Sequence, residues 1–225
     1  MKMLTDGDRA EIRRRFLAVD ASNVADVLDA RGVHDQGIAP FIRAISQGQI
    51  AGWAYTVVGE MAPYEGTGDP AKMEACAGIG QDEVSVWCGG GHGVCYFGEL
   101  IALGMAEQGS VGALVDGGVR DVKWLKEHGF PVFAGYVTPI QSIGRWHVTS
   151  WQTPAYVHGA TSTWVVVHPG DFILGDQDGC LVIPAEMTLE VLVAAEKLTQ
   201  TEVEIRDALR GGASLSACLD HFGHV

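Results

Sequence analysis

Apolar and polar positions along the chain follow two spacings, one typical of amphipathic helices and one typical of strands. Thr5 or Asp8 can cap a first helix, and residues 21–23 can cap a second one that Gly32 stops. Residues 51–58 alternate and are rich in β-forming side chains, which is typical of a strand. The first part of the chain therefore predicts helices over 5–17, 24–30 and 71–79, and strands over 51–58 and 84–87.

The centre of the chain predicts alternating strands and helices. Residues 97–109 carry apolar side chains at helical spacing, and residues 111–115 form a continuous apolar run of strand length. The Asp116-Gly117-Gly118 segment predicts a turn. A helix over 119–128 and a further strand from 131–134 follow. Strands separated by helices in this way pair in parallel, with right-handed crossovers.

The last part of the sequence is β-rich and then helical. It predicts strands over 165–167 and 181–183, with turns at 169–171 and 176–179. Because no linker or internal repeat interrupts the chain, we expect one domain over residues 1–225. Its expected parts are N-terminal helices within 5–32, a core over 50–184 and a C-terminal helix over 185–210.

Size and charge exclude several classes of protein. The 225 residues are 47% apolar and 19% charged, which excludes a disordered chain and allows a sizeable core. The formal net charge is −13. Such a chain repels the phosphates of nucleic acids and anionic lipids, so we expect neither as a partner.

Hydropathy and cysteine usage predict a cytoplasmic protein. The N-terminal segment has no apolar stretch typical of a secretory signal, and the longest uncharged segment, 146–170, is too polar to span a membrane. The five cysteines are odd in number and contain no Cys-x-x-Cys pair. This pattern argues against a disulfide framework and a structural zinc site.

Two segments of the central pattern are expected to meet at one edge of the sheet. In a parallel strand–helix–strand unit, each helix begins just past the carboxyl end of the preceding strand, so the helix that starts at Gly98 and the segment 118–121 share the edge where such sheets bind ligands. The first helical turn, at Glu99, Leu100 and Ile101, presents unpaired N–H groups. These groups suit a carboxylate or a phosphate.

Charged side chains complete this candidate site. Arg120 can clamp an organic anion with two parallel hydrogen bonds, and Asp121 with Glu99 offers the oxygen ligands of a hydrated Mg²⁺ ion. An anion clamp beside a divalent cation suits a small 2-oxo acid, since both groups can stabilise an enolate. The structural alternative is an Arg-Asp pair that only begins a helix, with Asp121 favouring its N-terminus.

The same residues resemble the RraA-like family. This family contains the class II pyruvate aldolases, which are 4-hydroxy-4-methyl-2-oxoglutarate / 4-carboxy-4-hydroxy-2-oxoadipate aldolases, and the regulators of ribonuclease E activity. Its signature is an acid, twenty residues and then Arg-Asp, a spacing that Glu99 and Arg120-Asp121 reproduce. The similarity covers roughly residues 20–190. The matching motifs are Gly98-Glu99-Leu100-Ile101, Asp116-Gly117-Gly118-Val119-Arg120-Asp121, Gly129-Phe130-Pro131-Val132-Phe133 and the later turns at 169–171, 176–179 and 182–184.

The resemblance implies a fold, an assembly and a set of roles. The fold would be an αββα sandwich of the swivelling, phosphohistidine-domain-like type, assembled as a homotrimer or homohexamer with the site between subunits. Asp121 would hold Mg²⁺ or Mn²⁺, largely through waters, with Glu99 over those waters. Arg120 and the segment from Gly98 through Leu100 to Ile101 would bind the pyruvyl carboxylate and ketone.

One position departs from the aldolase pattern. Aldolase members usually carry an acid three residues after the motif aspartate, where this chain has Trp124. This departure favours a member without turnover, whereas the intact Arg120-Asp121 pair favours an enzyme. Together with the resemblance, the pair predicts a divalent-metal-dependent lyase that cleaves a carbon–carbon bond of a small 2-oxo acid through pyruvate enolate, by retro-aldol cleavage or oxaloacetate-type decarboxylation. The alternative is a regulatory, protein-binding member without turnover.

His92 is a further candidate for substrate binding. It lies in the glycine-rich loop 89–93, just before the proposed site, and can act as an acid or base near neutral pH. The alternative is a loop histidine that bonds to the backbone. The loop lacks the Lys-Ser/Thr sequence of a phosphate-binding loop, so we expect no nucleotide site there.

Other reactive side chains have a simpler structural interpretation. Cys95 lacks a sequence context typical of a nucleophile and is expected to be buried. His147 either selects the distal half of a substrate or lies beside packed tryptophans. The remaining acids are expected in a hairpin turn (Asp176 and Asp178) and on a solvated helix face (Glu202 and Glu204), from which an oligomer could bring a carboxylate to a neighbour's metal.

Overall fold

The computed structural model describes residues 5–66 and 68–224, which form a mixed α/β fold. The α-helices are α1 (Asp6–Phe16), α2 (Ala21–Asp29), α3 (Pro70–Ala77), α4 (Glu99–Ala106), α5 (Val122–Glu127), α6 (Thr188–Arg210) and α7 (Leu215–Phe222). The strands are β1 (Arg43–Ala44), β2 (Ile50–Met61), β3 (Glu83–Cys88), β4 (Cys95–Phe97), β5 (Gly112–Val119), β6 (Val132–Val137), β7 (Trp146–Trp151), β8 (Ala155–His158), β9 (Trp164–Val167), β10 (Phe172–Gly175) and β11 (Cys180–Ile183).

Nine of these strands form one sheet in the order β1-β6-β5-β3-β2-β10-β11, with β4 beside β5 and β7 beside β2. Strands β2, β3, β5 and β6 pair in parallel, as the alternating pattern predicts. Strands β8 and β9 form a separate hairpin. Backbone bridges from Gly37 to Leu181 and from Ile38 to Gly159 join the far edge and the hairpin, so the sheet is nearly closed and barrel-like. The mixed α/β class is thus confirmed, and the finer αββα description stays a prediction.

The sheet is buried on both faces, which explains its long apolar runs. The inner face packs against the β8–β9 hairpin through a cluster that includes Val84, Val86, Leu114, Phe133, Val157 and Val165. The outer face is covered by helices in two groups. Helices α3, α4 and α5 cover Trp87 and Val115, whereas α1, α2 and α6 cover Trp53 and Phe172.

Caps at the two N-terminal helices differ in origin. Thr5 and Asp8 form a reciprocal capping box on α1, as the sequence predicts. The cap expected at residues 21–23 is wrong, because α2 begins at Ala21 and its N-cap residue Asp20 makes no side-chain bond. Instead, the Asp176 carboxylate accepts a 2.8 Å hydrogen bond from the Ala21 amide, from the turn between β10 and β11.

The turn predicted at residues 116–118 is also wrong. Strand β5 continues through it to Val119, and helix α5 begins only at Val122. The two glycines permit close packing here: a Cβ on Gly117 would lie 2.2 Å from the Tyr96 ring, and one on Gly118 2.4 Å from the Val94 carbonyl. Asp116 accepts hydrogen bonds from the His158 amide at 2.9 Å and its ring at 2.7 Å, which ties β5 to the hairpin.

Several C-terminal elements were not predicted individually. Strand β10 occupies the interval between the two predicted turns, and helix α7 follows the long helix. The predicted helix over 185–210 is present, with a 3₁₀ turn at Ala185–Met187 before α6. Within residues 5–66 and 68–224, no helix combines the length and apolar character needed to cross a bilayer.

Candidate active site

The predicted site forms where β4 and β5 end side by side. The two strands pair in parallel with Phe97 opposite Val119, and the Arg120 amide donates to the Phe97 carbonyl at 3.1 Å. Helix α4 begins directly after β4, so its first turn faces the Arg120-Asp121 segment. The topology therefore brings the two halves of the sequence signature to one edge of the sheet, as expected.

Asp121 turns back toward the start of α4. Its backbone is left-handed (φ 59°, ψ 33°), a conformation that aspartate tolerates better than most residues. Its Oδ2 accepts a 3.1 Å hydrogen bond from the Glu99 amide and lies 3.4 Å from the Arg120 Nε. The carboxylate is thus held against one orphan amide of the α4 N-terminus.

Gly98 makes this arrangement possible. A Cβ at this position would lie 2.6 Å from the Asp121 Oδ2 and 3.0 Å from the Arg120 Cγ. Because the backbone of Gly98 is extended rather than left-handed, the requirement comes from the lack of space and not from conformation. The absence of a side chain at Gly98 therefore leaves the space that the Arg120 and Asp121 side chains occupy.

A cavity of about 840 Å³ opens beside these groups. Five of the predicted site residues line it: Gly98, Leu100, Ile101, Arg120 and Asp121. The other lining residues come from the start of α3, from β4 and from the segment before β7: Gly68, Asp69, Pro70, Lys72, Met73, Cys95, Tyr96, Phe97, Gln141, Ser142 and Ile143. The Arg120 and Asp121 side chains are 40% and 36% exposed, so a ligand can reach both.

Two predicted residues do not line the cavity. Glu99 contributes its amide to Asp121, but its side chain is not part of the wall. His92 is exposed in the glycine-rich loop and is also absent from the wall. The roles assigned to Glu99 over metal waters and to His92 in substrate binding stay predictions.

The first turn of α4 presents backbone amides without intrahelical partners. Among the described residues, no backbone carbonyl accepts from the Leu100 or Ile101 amide, as expected for the first turn of a helix. The Glu99 amide is occupied by Asp121, so these two amides and the Arg120 guanidinium are the groups of this part of the wall that can donate to an anion. The partial positive charge at the helix start adds to their attraction.

The residues present fit a divalent cation that keeps most of its waters. Oδ1 of Asp121 receives no hydrogen bond from the residues that the structure describes, so this oxygen can bind a hydrated cation. No group of three or more His, Cys, Asp or Glu side chains with metal-binding geometry occurs within 5–66 and 68–224. One carboxylate with several waters is a common way to hold Mg²⁺, and it is the arrangement that Asp121 offers.

Trp124 is directed to packing rather than to the cavity. It packs against the outer-face cluster and stacks on His128, with ring centroids 4.2 Å apart. It is not among the cavity-lining residues. The acid that aldolase members carry at this position is therefore replaced here by a side chain of the helix-packing surface.

Sequence reasoning missed Lys72. This lysine is 8% exposed, lines the cavity and donates hydrogen bonds to the Tyr96 carbonyl and, at 3.4 Å, to the Ser142 hydroxyl. A signal was present, because Lys72 shares the helical apolar stripe of Ala75, Cys76 and Ile79 at spacings of three, four and seven residues. A charge on such a stripe indicates a buried, functional or paired group.

The remaining candidates take structural positions. Cys95 is buried in the cavity wall, and burial raises the pKa of its thiol, which disfavours a thiolate nucleophile. His147 lies 3.5 Å from the Glu60 carboxylate and lines a separate, smaller cavity. Asp176 caps α2 and accepts from the Asp178 amide at 2.9 Å, which confirms the turn interpretation. Glu202 lies near Arg206 and His224.

Comparison with protein families gives a match over the segment that contains this site. Residues 21–182 match the family described as RraA-like, Aldolase/RraA. The chain belongs to the RraA-like family. The match includes β4, β5 and the start of α4, so the Gly98, Arg120 and Asp121 arrangement lies within the shared part of an RraA-like chain.

Individual relatives in this comparison carry different names. Protein DlpA of Legionella pneumophila is 26% identical over 93% of this chain and 33% of its own length. A Halalkalibacterium halodurans protein named "Putative 4-hydroxy-4-methyl-2-oxoglutarate aldolase" is 36% identical over 47% of each chain. The chain thus spans between a third and a half of these two relatives.

A solved structure supports the fold assignment. Streptomyces coelicolor RraAS2, described as an unusual member of the RNase ES inhibitor RraA protein family, superposes with a TM-score of 0.75 at 22% identity, over 87% of this chain and 96% of its own. At this identity the similarity concerns the fold alone. The RraA-like family therefore includes proteins named as aldolases and proteins described as RNase inhibitors.

Proposed function

We propose that this RraA-like protein is a divalent-metal-dependent lyase that cleaves a carbon–carbon bond of a small 2-oxo acid. The observation that carries the proposal is the joint position of Arg120 and Asp121 against Gly98, at the wall of a cavity large enough for such a substrate. The name of the Halalkalibacterium relative supports the same chemistry.

The anion-binding wall defines how the substrate is oriented. The guanidinium of Arg120 and the Leu100 and Ile101 amides donate to the carboxylate and the ketone oxygen of the oxo acid. Asp121 would hold Mg²⁺ or Mn²⁺ through its free oxygen and bound waters. When bound, such a cation polarises the ketone as a Lewis acid.

Bond cleavage follows from this orientation. In retro-aldol cleavage, the electron pair of the breaking carbon–carbon bond moves into the pyruvyl unit as an enolate. The distal hydroxyl gives its proton to a water of the open cavity and becomes a carbonyl, and the enolate takes up a proton from water to give pyruvate. In decarboxylation the same pair is released from a carboxylate that leaves as CO₂. Both routes place negative charge on the oxygen that Arg120 and the α4 amides face, where prearranged donors lower the barrier.

The site is proposed to be completed by a second copy of the chain. Apolar side chains at its mouth are exposed, including Leu100 at 75%, Met73 at 54% and Ile143 at 44%. Such a rim is unusual for a surface that faces only water. A homotrimer or homohexamer, as the family resemblance implies, would cover this rim and enclose the cavity.

A regulatory, protein-binding role is the second candidate. Two observations favour it: Trp124 occupies the position of the aldolase acid and packs away from the cavity, and an RraA-family inhibitor shares the fold. The two candidates differ in one respect that can be measured. Only the lyase generates an enolate of pyruvate.

Deuterium exchange into pyruvate tests the lyase directly. The purified protein is incubated with pyruvate in heavy water, with Mg²⁺ or with a chelator, and the methyl signal is followed by NMR. The lyase predicts exchange that needs the metal and is lost with the chelator. Absence of exchange under both conditions would favour the regulatory role.

A further inference from the structure

Lys72 is a buried cation on the same wall as Arg120. Its ammonium lies among apolar and aromatic groups, 5.5 Å from the Trp87 ring centroid and 5.8 Å from that of Trp146. Its two hydrogen-bond partners, the Tyr96 carbonyl and the Ser142 hydroxyl, are uncharged. Burying an ammonium costs free energy unless a counter-ion compensates it.

The protein itself does not supply that counter-ion. No carboxylate of the described residues lies within 4.0 Å of the Lys72 ammonium. The nearby Asp69 is engaged elsewhere, since one oxygen accepts from the Lys72 amide at 3.0 Å and the other from the Val148 amide at 2.8 Å. Asp121 is occupied by Arg120 and the α4 amide.

The pKa of Lys72 is shifted in the direction expected for a buried ammonium without a counter-ion. Burial lowers the pKa of Lys72 below its ordinary value, and Arg120 adds to that lowering. Cys76, Cys95 and Asp69 act in the opposite direction but do not cancel it. The ammonium is thus a donor that an anionic ligand would stabilise.

Lys72 and Arg120 reach the cavity from different elements. The Lys72 ammonium is held by the Tyr96 carbonyl and the Ser142 hydroxyl, whereas the Arg120 Nε lies 3.4 Å from the Asp121 carboxylate. Both residues line the same cavity. Because the two cations have separate partners, a ligand with two anionic groups can pair one group with each of them.

We propose that Lys72 is a specificity-determining residue, which pairs with an anionic group of the substrate other than the carboxylate bound by Arg120. The proposal rests on the proposed function and adds a residue to it: a second carboxylate, such as the one in the 2-oxoglutarate derivative named for the Halalkalibacterium relative, would be recognised by Lys72. That carboxylate would supply the missing counter-ion in a site of low dielectric constant, where a charge-assisted hydrogen bond is strong. The cavity has room for a ligand of that length.

Binding of matched ligand pairs tests this assignment. The pairs are 2-oxoglutarate with 2-oxopentanoate and 2-oxoadipate with 2-oxohexanoate, which differ in the second carboxylate, and affinities are measured by calorimetry in the presence of Mg²⁺. We expect the unmodified protein to prefer the dicarboxylate of at least one pair. Lys72→Met should reduce that preference at least about tenfold. Lys126→Met, at an exposed lysine of α5, should leave it unchanged.

Further variants separate recognition from folding. Lys72 also joins α3 to β4, so Lys72→Gln, which keeps a donor without the charge, replaces Lys72→Met if the latter does not fold. Lys72→Arg should retain the preference. The assignment is overturned if the unmodified protein prefers neither dicarboxylate, or if the neutral variants weaken both members of a pair equally.

The two proposals fail in distinguishable ways. Pyruvate lacks the second carboxylate, so exchange into pyruvate by the unmodified protein tests the lyase independently of Lys72. Exchange with an unchanged ligand preference would overturn the role of Lys72 alone. A dicarboxylate preference that depends on Lys72, in a protein without exchange, would overturn the lyase and leave the binding role of Lys72 standing.

Discussion

Arg120 and Asp121 are neighbours in sequence, yet their side chains take part in opposite halves of the proposed site. The left-handed backbone of Asp121 makes this possible, because it turns the carboxylate back onto the Glu99 amide while the Arg120 guanidinium remains at the cavity wall. One oxygen of Asp121 is used by the protein, and the other remains for a cation. In the proposed site, the pair therefore combines an anion clamp and a cation ligand within two residues.

Replacing Arg120 tests the anion clamp. Arg120→Ala should lower kcat/KM for cleavage of a pyruvyl substrate by about 10²–10³-fold, because it removes a group that binds both the carboxylate and the developing enolate. Arg206→Ala, on the half-exposed face of α6, is the matched control and should leave kcat/KM unchanged. Steady-state kinetics with saturating Mg²⁺ measures both. Equal rates for the two variants would remove Arg120 from the site.

Replacing Asp121 tests the cation ligand. Asp121→Asn keeps an oxygen that can accept from the Glu99 amide but loses the negative charge, so the fold should persist while Mn²⁺ affinity falls at least about tenfold. Mn²⁺ binding measured by electron paramagnetic resonance reports this without any turnover. Asp178→Asn, in the β10–β11 turn, is the control. An unchanged Mn²⁺ affinity in Asp121→Asn would contradict the assignment.

At the scale of elements, the junction of β4 and α4 determines the site. The extended backbone of Gly98 leaves room for the Asp121 carboxylate, and the first turn of α4 supplies its amides at the same point. One packing unit is therefore formed by Gly98, the start of α4 and the Arg120-Asp121 pair. A substitution in any of them should displace the others.

Two glycine substitutions in this segment should differ: one should abolish activity, and the other should raise the free energy of unfolding. Gly98→Ala places a methyl group 2.6 Å from Asp121 Oδ2 and should abolish metal-dependent activity by displacing the carboxylate. Gly104→Ala, inside α4 with nothing within 4 Å of the new methyl, should instead stabilise the protein by about 0.5–1 kcal/mol. Urea denaturation and activity assays of the two variants check both effects. Full activity in Gly98→Ala would show that the carboxylate does not depend on this space.

The turn between β10 and β11 acts as a cap for α2. Asp176→Ala removes the hydrogen bond to the Ala21 amide and should lower the free energy of unfolding by about 1 kcal/mol. Asp178→Ala removes an exposed side chain of the same turn and is expected to be nearly neutral. Urea denaturation of both variants gives the comparison. Similar values for the two would mean that the cap contributes nothing measurable.

Local patterns explain which elements were predictable. Periodicity and capping residues predicted α1, β2, α3, β3 and α6, because these elements carry their signals within their own sequence. The Asp116-Gly117-Gly118 segment was misinterpreted, since the glycines are required by the Tyr96 ring of β4 and by the carbonyl of Val94, the residue before that strand. The cap of α2 comes from Asp176, 155 residues away, and no local pattern contains it.

At the scale of the whole molecule, the arrangement of parallel strands determined how much of the site was predictable. A strand–helix–strand pattern brings Gly98, Leu100, Ile101, Arg120 and Asp121 together regardless of the rest of the sheet. The rest of the cavity wall includes α3 and the segment 141–143, whose approach depends on tertiary packing. For this reason Lys72 was missed although its position on the apolar stripe of α3 was visible.

The cysteines give a prediction for the intact molecule. All five are free, and burial raises the pKa of Cys76 and of Cys88 to about 11 and that of Cys180 well above its usual value. Since the thiolate is the reactive form, the folded protein should resist iodoacetamide near pH 8, whereas urea should expose all five thiols. Mass spectrometry counts the added groups. Rapid labelling of Cys180 in the folded protein would contradict the burial described.

Strand β5 is buried along its entire length, has parallel neighbours on both sides and ends at Val119, directly before Arg120 and Asp121. Its backbone amides should therefore be among the slowest of the chain to exchange with solvent, opening only when the protein unfolds globally. We expect the position of Arg120 and Asp121 to persist as long as this strand does. Heat or denaturant should not yield a native-like but inactive species, and the loss of turnover should coincide with the loss of the sheet.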